Sequence, residues 1–161
     1  MSLERLSIPK LLGMAVRAEL DSERTYSLMV DRVKNPLLKE KFQMLAFEEG
    51  KHAVILNNLF RSLYAGRKLS LPARVDPKLL PSVKVAPATG LVEVLSQAMK
   101  AEKAARAFYL GLARRLKPAQ KNIVVYLSNV EQSHYLMLQS EYRLALQFED
   151  YAEQDIEKVV T

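Results

Sequence analysis

Both histidines of this chain sit three residues after a glutamate, in Glu49-Gly50-Lys51-His52 and Glu131-Gln132-Ser133-His134. On an α-helix, positions i and i+3 share a face, so each pair sets one carboxylate beside one imidazole, aimed at one point. The two pairs lie 82 residues apart. For them to meet, two long helices from opposite halves of the chain must face each other, and few folds satisfy that demand.

Apolar periodicity predicts four such helices. The first runs from about Ile8 to Val33, with Leu11, Ala15, Glu19, Ser22, Tyr26, Met29 and Val33 at steps of three and four. Asn35-Pro36 ends it and opens the second, Asn35 as N-cap and Pro36 at the first helical position. Leu38, Phe42, Leu45, Glu49, His52, Ile55 and Leu59 share one face there, and Gly66 marks the end. Thr89-Gly90 opens the third helix, whose inner stripe is Leu91, Leu95, Ala98, Glu102, Ala105, Tyr109 and Leu112. Lys117-Pro118 starts the fourth, with Val124, Leu127, Glu131, His134, Leu138, Tyr142 and Ala145. Phe42 and Met29 read as core filling. Phe47, Val54, Phe60 and Leu63 fall off the inner stripe and point to self-association, as a homodimer.

Residues 67–89 hold Pro72, Pro77, Pro81 and Pro87, which rules out one continuous helix. The segment is too long for a tight turn and the right length to travel along a bundle, with a short helical turn expected at Pro77–Leu80. Two short helix connections and one long one define an all-α fold, an antiparallel four-helix bundle with a crossover between helices 2 and 3. The expected organisation is one domain over residues 1–148, with 149–161 as a tail or short helix in which Tyr151, Ile156 and Val159 could dock.

Composition narrows the chemistry. The 161 residues contain no cysteine, so disulfides, thiolate metal sites and cysteine-held clusters are excluded within them. Five glycines and no tryptophan, with Ala, Leu, Glu, Lys and Arg dominant, favour helix. The net charge of +6 is scattered, without a basic and aromatic stripe, so nucleic-acid binding is not expected. No run approaches the roughly 18 apolar residues of a membrane span, and the first 20 residues lack an export signal. No membrane association and a cytoplasmic location are expected.

Each inner stripe is interrupted by polar residues. Carboxylates buried without compensation cost several kcal/mol apiece, so Glu19, Glu49, Glu102 and Glu131 in one core require cations or protons. Two metal ions would neutralise them together, and carboxylate with imidazole suits iron or manganese. The halves also repeat. Glu19 precedes Tyr26 by seven residues and Glu49 by thirty; Glu102 precedes Tyr109 by seven and Glu131 by twenty-nine. Ser22 and Ala105 occupy equivalent places. Each half is a hairpin supplying one lone glutamate and one Glu-x-x-His pair. Glu48 lies one residue out of register and reads as solvent-facing; Glu23 and Glu141 read as surface charge, with an outer carboxylate role as the alternative.

On these residues the chain resembles the rubrerythrin-type, ferritin-like di-iron proteins over roughly residues 8–146. Asn35-Pro36, Lys39, Phe42, Leu45 and the run Ala46-Phe47-Glu48-Glu49-Gly50-Lys51-His52-Ala53 are similar to that family's second helix; Ala101-Glu102, Ala105, Phe108-Tyr109 and Leu112-Ala113 resemble its third. The resemblance implies two iron ions per chain, with manganese as the alternative. Glu49 and Glu131 would bridge them, Glu19 with His52 would cap one, and Glu102 with His134 the other. Tyr26 and Tyr109 would donate to the carboxylates. The implied activity is reduction of hydrogen peroxide or dioxygen, with electrons from an external donor protein such as a rubredoxin. Two departures stand out: Ala98 and Met99 occupy the places where many members carry a further glutamate, and no cysteine-ligated rubredoxin segment is present. Ferroxidase or iron handling, manganese catalase-like disproportionation and a non-catalytic metal-binding bundle are the other readings.

Overall fold

The computed structural model describes residues 3–147. After a short 3-10 turn at Leu3–Arg5 come four long helices: α1 (Ile8–Arg32), α2 (Pro36–Leu63), α3 (Leu91–Ala113) and α4 (Pro118–Gln147). No strand occurs among the described residues. No described helix is long and apolar enough to cross a membrane. The expected tail at 149–161, with Tyr151, Ile156 and Val159, lies outside the described residues.

Local chemistry sets the helix starts. Ser7 caps α1, its side chain accepting from Lys10 N. Asn35 caps α2 by accepting from Leu37 N and Leu38 N, and Pro36 follows at the first helical position, where a missing N–H costs nothing. Gly66, with φ of 75°, takes the chain away from α2 in a conformation that favours glycine.

The helices pair as two antiparallel hairpins, α1 on α2 and α3 on α4, while the hairpins approach each other closely at few backbone positions. The crossover joins them along α1. At Gly13 the chain passes so near that a Cβ would stand 2.3 Å from Ser70 O, so a side chain there would displace the crossover. The short turn expected at Pro77–Leu80 is a single one, with Leu79 N and Leu80 N donating to Asp76 O. Buried Arg32 anchors the far end by donating to the carbonyls of Ala86, Pro87 and Thr89.

The core has two apolar layers. One contains Leu11, Ala15, Leu56, Phe60, Phe108, Leu112 and Leu127. The other contains Met29, Phe42, Leu45, Leu95, Ala98 and Leu138. Each large apolar side chain so buried contributes about 1.5–3 kcal/mol against exposure. Between the layers, on every helix, lie the polar residues of the inner stripes. Two details depart from the sequence reading. Phe60 is not on the outer surface: it is 2 % exposed and packs beside Tyr64, whereas Phe47 and Val54 are exposed and Leu63 is half-buried. At the Ile55 step of the stripe, Leu56 is the fully buried residue.

Candidate metal centre

Glu19, Glu49, His52, Glu102, Glu131 and His134 are all buried, each at 4 % exposure or less, and all meet between the two apolar layers. They form two overlapping groups whose donor atoms lie within 4.8 Å of one another: Glu19, Glu49, His52 and Glu131, and Glu49, Glu102, Glu131 and His134. Glu49 and Glu131 belong to both.

The distances show how the sharing works. His52 Nδ1 stands 3.3 Å from Glu49 Oε2, 3.1 Å from Glu131 Oε1 and 3.5 Å from Glu19 Oε2. His134 Nδ1 stands 3.1 Å from Glu49 Oε1, 3.2 Å from Glu131 Oε2 and 3.7 Å from Glu102 Oε2. Glu49 and Glu131 thus turn one oxygen to each imidazole. The two rings stack with centroids 5.7 Å apart.

These atoms are close without being bonded. Glu49 Oε1, both oxygens of Glu131, His52 Nδ1 and His134 Nδ1 are buried with no hydrogen-bond partner. Buried polar atoms are nearly always paired, so five orphans in one cluster require an explanation. Donor atoms gathered within 4.8 Å of one another without pairing are placed as the donors to a shared cation are. The residues present therefore fit metal binding, with four carboxylates and two imidazoles as donors.

Without metal, the imidazoles supply the positive charge. Burial alone would lower His52, but Glu131, Glu19 and Glu49 beside it outweigh that and push it up to about 12. His134 is raised in the same way by Glu102, Glu131 and Glu49. Burial pushes Glu102 up to about 8, with Glu131 adding to the rise and His134 opposing it. Burial also raises Glu49, helped by the charges of Glu19 and Glu102. Glu131 goes the other way: burial opposes ionisation, yet His134 and His52 hold it at about 2.

The tyrosines cross between hairpins. Tyr26 of α1 donates to Glu102 Oε1 of α3, and Tyr109 of α3 donates to Glu19 Oε1 of α1. The contact joins each tyrosine to the lone glutamate of the other half, which spacing within a half cannot reveal. Burial first, and then the neighbouring carboxylates, raise both phenols well above their usual value.

One participant escaped the sequence reading. Glu48 is not simply solvent-facing: its Oε2 lies 2.6 Å from His134 Nε2, with the Glu48 side chain 33 % exposed. Its Cα is off the stripe of α2, but the side chain reaches across to His134 on α4. A carboxylate on the far nitrogen of a ligating imidazole fixes the ring and raises its basicity. His52 has no equivalent; among the described residues its carboxylate neighbours all face Nδ1. Glu141 pairs with Lys41, and Glu23 lies half-buried beside Gly50; neither joins the cluster.

A cleft of about 520 Å³ reaches the cluster from one side, between α1, α3 and the crossover. Glu19, Glu49, Glu102 and Glu131 lie along it, as do Ser22 and Ala105.

Comparison with known proteins bears on this arrangement. A search of curated proteins returns no match. Among solved structures, a hypothetical protein from Pyrococcus furiosus is 32 % identical, with a TM-score of 0.81 over 91 % of this chain and 95 % of that one. CopM in its Cu(II)-bound form shares the fold at 10 % identity, with a TM-score of 0.70 over 86 % of this chain and 97 % of its own. The family model for rubrerythrin matches residues 10–142. That span contains both hairpins and the whole carboxylate and histidine cluster, and the chain belongs to the rubrerythrin family.

Proposed function

We propose that the chain is a di-iron oxidoreductase that reduces hydrogen peroxide or dioxygen with electrons from an external donor protein such as a rubredoxin. The observation that carries this reading is the pair of donor groups sharing Glu49 and Glu131, with five donor atoms left unbonded. Glu19 and His52 would hold one ion, Glu102 and His134 the other, and the shared glutamates both. Iron is the proposed metal, and manganese fits the same donors. CopM carries copper in its structures, but at 10–11 % identity the likeness is one of fold. Four carboxylates to two imidazoles weigh toward iron or manganese here.

When bound, a ferrous pair supplies two electrons to one oxidant molecule. The chain's residues set the conditions. Tyr26 and Tyr109 keep their protons on the phenol oxygen, because burial raises both, and so remain donors to Glu102 and Glu19. Each bond occupies one carboxylate oxygen and leaves the other for the ion. Glu48 orients His134. The apolar layers exclude water from two sides, and the cleft leaves the oxidant a way in.

Purified protein is expected to contain two iron ions per chain, and anaerobically reduced protein to be reoxidised by hydrogen peroxide or dioxygen faster than free ferrous ion in the same buffer. Equal rates overturn the reading. Iron handling is the second reading, and Glu48 favours it, as a partly exposed carboxylate that leads from the surface to His134. Ferric product accumulating over many ferrous equivalents in a large assembly supports that version. A homodimer formed through Phe47 and Val54 goes with redox turnover, and light scattering separates the two.

A further inference from the structure

We propose that the cleft beneath the crossover binds a small amphipathic organic anion, its charged head at Arg74 and Lys84 and its apolar body directed toward the carboxylate floor. This deepens the di-metal reading and rests on it, naming the class of molecule that shares the site with the oxidant.

Size is the first argument. The cleft measures about 520 Å³, within the roughly 300–1,000 Å³ of small-molecule pockets. A water molecule's share of liquid volume is about 30 Å³, and hydrogen peroxide is only slightly larger. An oxidant alone leaves most of the cleft filled with solvent beside a centre that is otherwise dry.

Lining is the second. Ala18, Ala101, Ala105, Val75 and Leu80 give the cleft apolar walls, which an aliphatic or aromatic body would cover. Ser22 and Ala105, equivalent in the two halves, both line it. A large side chain at either place would close the space above Glu19 or Glu102.

Charge is the third. Arg74 and Lys84 line the cleft from the crossover and are exposed. Among the described residues neither side chain is in an ion pair, whereas Arg17, the remaining cation, is held by Asp21 at 3.2 Å. Two uncommitted cations at the rim attract an anion and disfavour passage of a metal cation. With two divalent ions bound the four carboxylates are neutralised, so the charges left to hold the head are the two at the rim, and the body points inward past the apolar walls.

Octanoate is the probe. Protein loaded with Mn(II), its metal content measured on the same sample, is titrated with octanoate in a calorimeter. Saturable binding is expected. The Arg74→Glu/Lys84→Glu double variant should weaken it about tenfold or more, since like charges then face each other. Ala105→Phe should abolish it with the manganese retained, and octylamine should not bind. If Ala105→Phe does not fold, the charge reversal at two exposed positions carries the test. Manganese-loaded protein that shows no saturable octanoate binding, or binding that the reversal leaves unchanged, overturns the proposal. Protein that does not hold manganese overturns instead the di-metal reading beneath it.

Discussion

Replacing Glu48 by alanine tests whether the two proposed metal positions are unequal. The contact at stake is the 2.6 Å approach of Glu48 Oε2 to His134 Nε2. Losing such an outer partner costs about 10–100-fold in metal affinity, or about 1.4–2.7 kcal/mol. The Glu48 side chain is 33 % exposed, so water already competes for it, and the lower end applies: about tenfold, near 1.4 kcal/mol. Glu48→Gln should lose less, because its amide oxygen still accepts from the imidazole N–H. The assay is calorimetric titration of Mn(II) into metal-stripped protein. Two steps are expected for the native chain, the group containing His134 filling first because only that imidazole is supported on its far side. In Glu48→Ala the tighter step weakens and the two converge. A substitution that shifts both steps equally, or neither, refutes a selective role for the Glu48 contact.

The metal-free protein should be most stable near pH 5 and lose stability toward pH 8. Glu102, raised from 4.5 to about 8, binds a proton in the folded chain that the unfolded chain has released, so its contribution falls as pH rises between those values. His52, raised from 6.5 to about 12, contributes fully below 6.5 and loses that contribution as pH climbs toward 12. Glu131, held near 2, matters only in stronger acid. Thermal unfolding with chelator present checks the trend. Metal must displace those protons, so the stabilisation it adds should grow with pH, and a metal-free protein more stable at pH 8 than at pH 5 contradicts the assignment. Tyr26→Phe and Tyr109→Phe should cost similar amounts, about 1–3 kcal/mol each in denaturant melts, since each leaves one buried carboxylate short of a donor. A large difference between them refutes their equivalence. Arg32→Ala, which strips three carbonyls of a donor, should cost about 2–4 kcal/mol and open residues 67–89 to limited proteolysis.

The features legible in the sequence were those written at helical spacing. Asn35-Pro36 and Lys117-Pro118 mark breaks because their chemistry is local, and the starts of α2 and α4 follow them. The six residues of the cluster were visible because each interrupts an apolar stripe, and a stripe is a property of one helix. What could not be read depends on the distance between helices. Glu48 looks misplaced on its own helix and matters only because α4 runs close by. The partners of Tyr26 and Tyr109 lie across the bundle, set by how one hairpin sits on the other. Phe60 looks exposed on the α2 wheel, yet the layer beyond the cluster covers it. The cleft is a product of the path of the crossover, and a proline-rich segment states its length but not its route.

A chain made of two matching halves has no inherent front or back, and a centre built between them would be approached alike from either direction. The single strap along α1 breaks that tie. On its side the centre faces a roofed vestibule, and away from it Glu48, a third exposed, stands against the outer nitrogen of His134. The two sides of the centre are therefore unlike, although the halves that frame it began as equals.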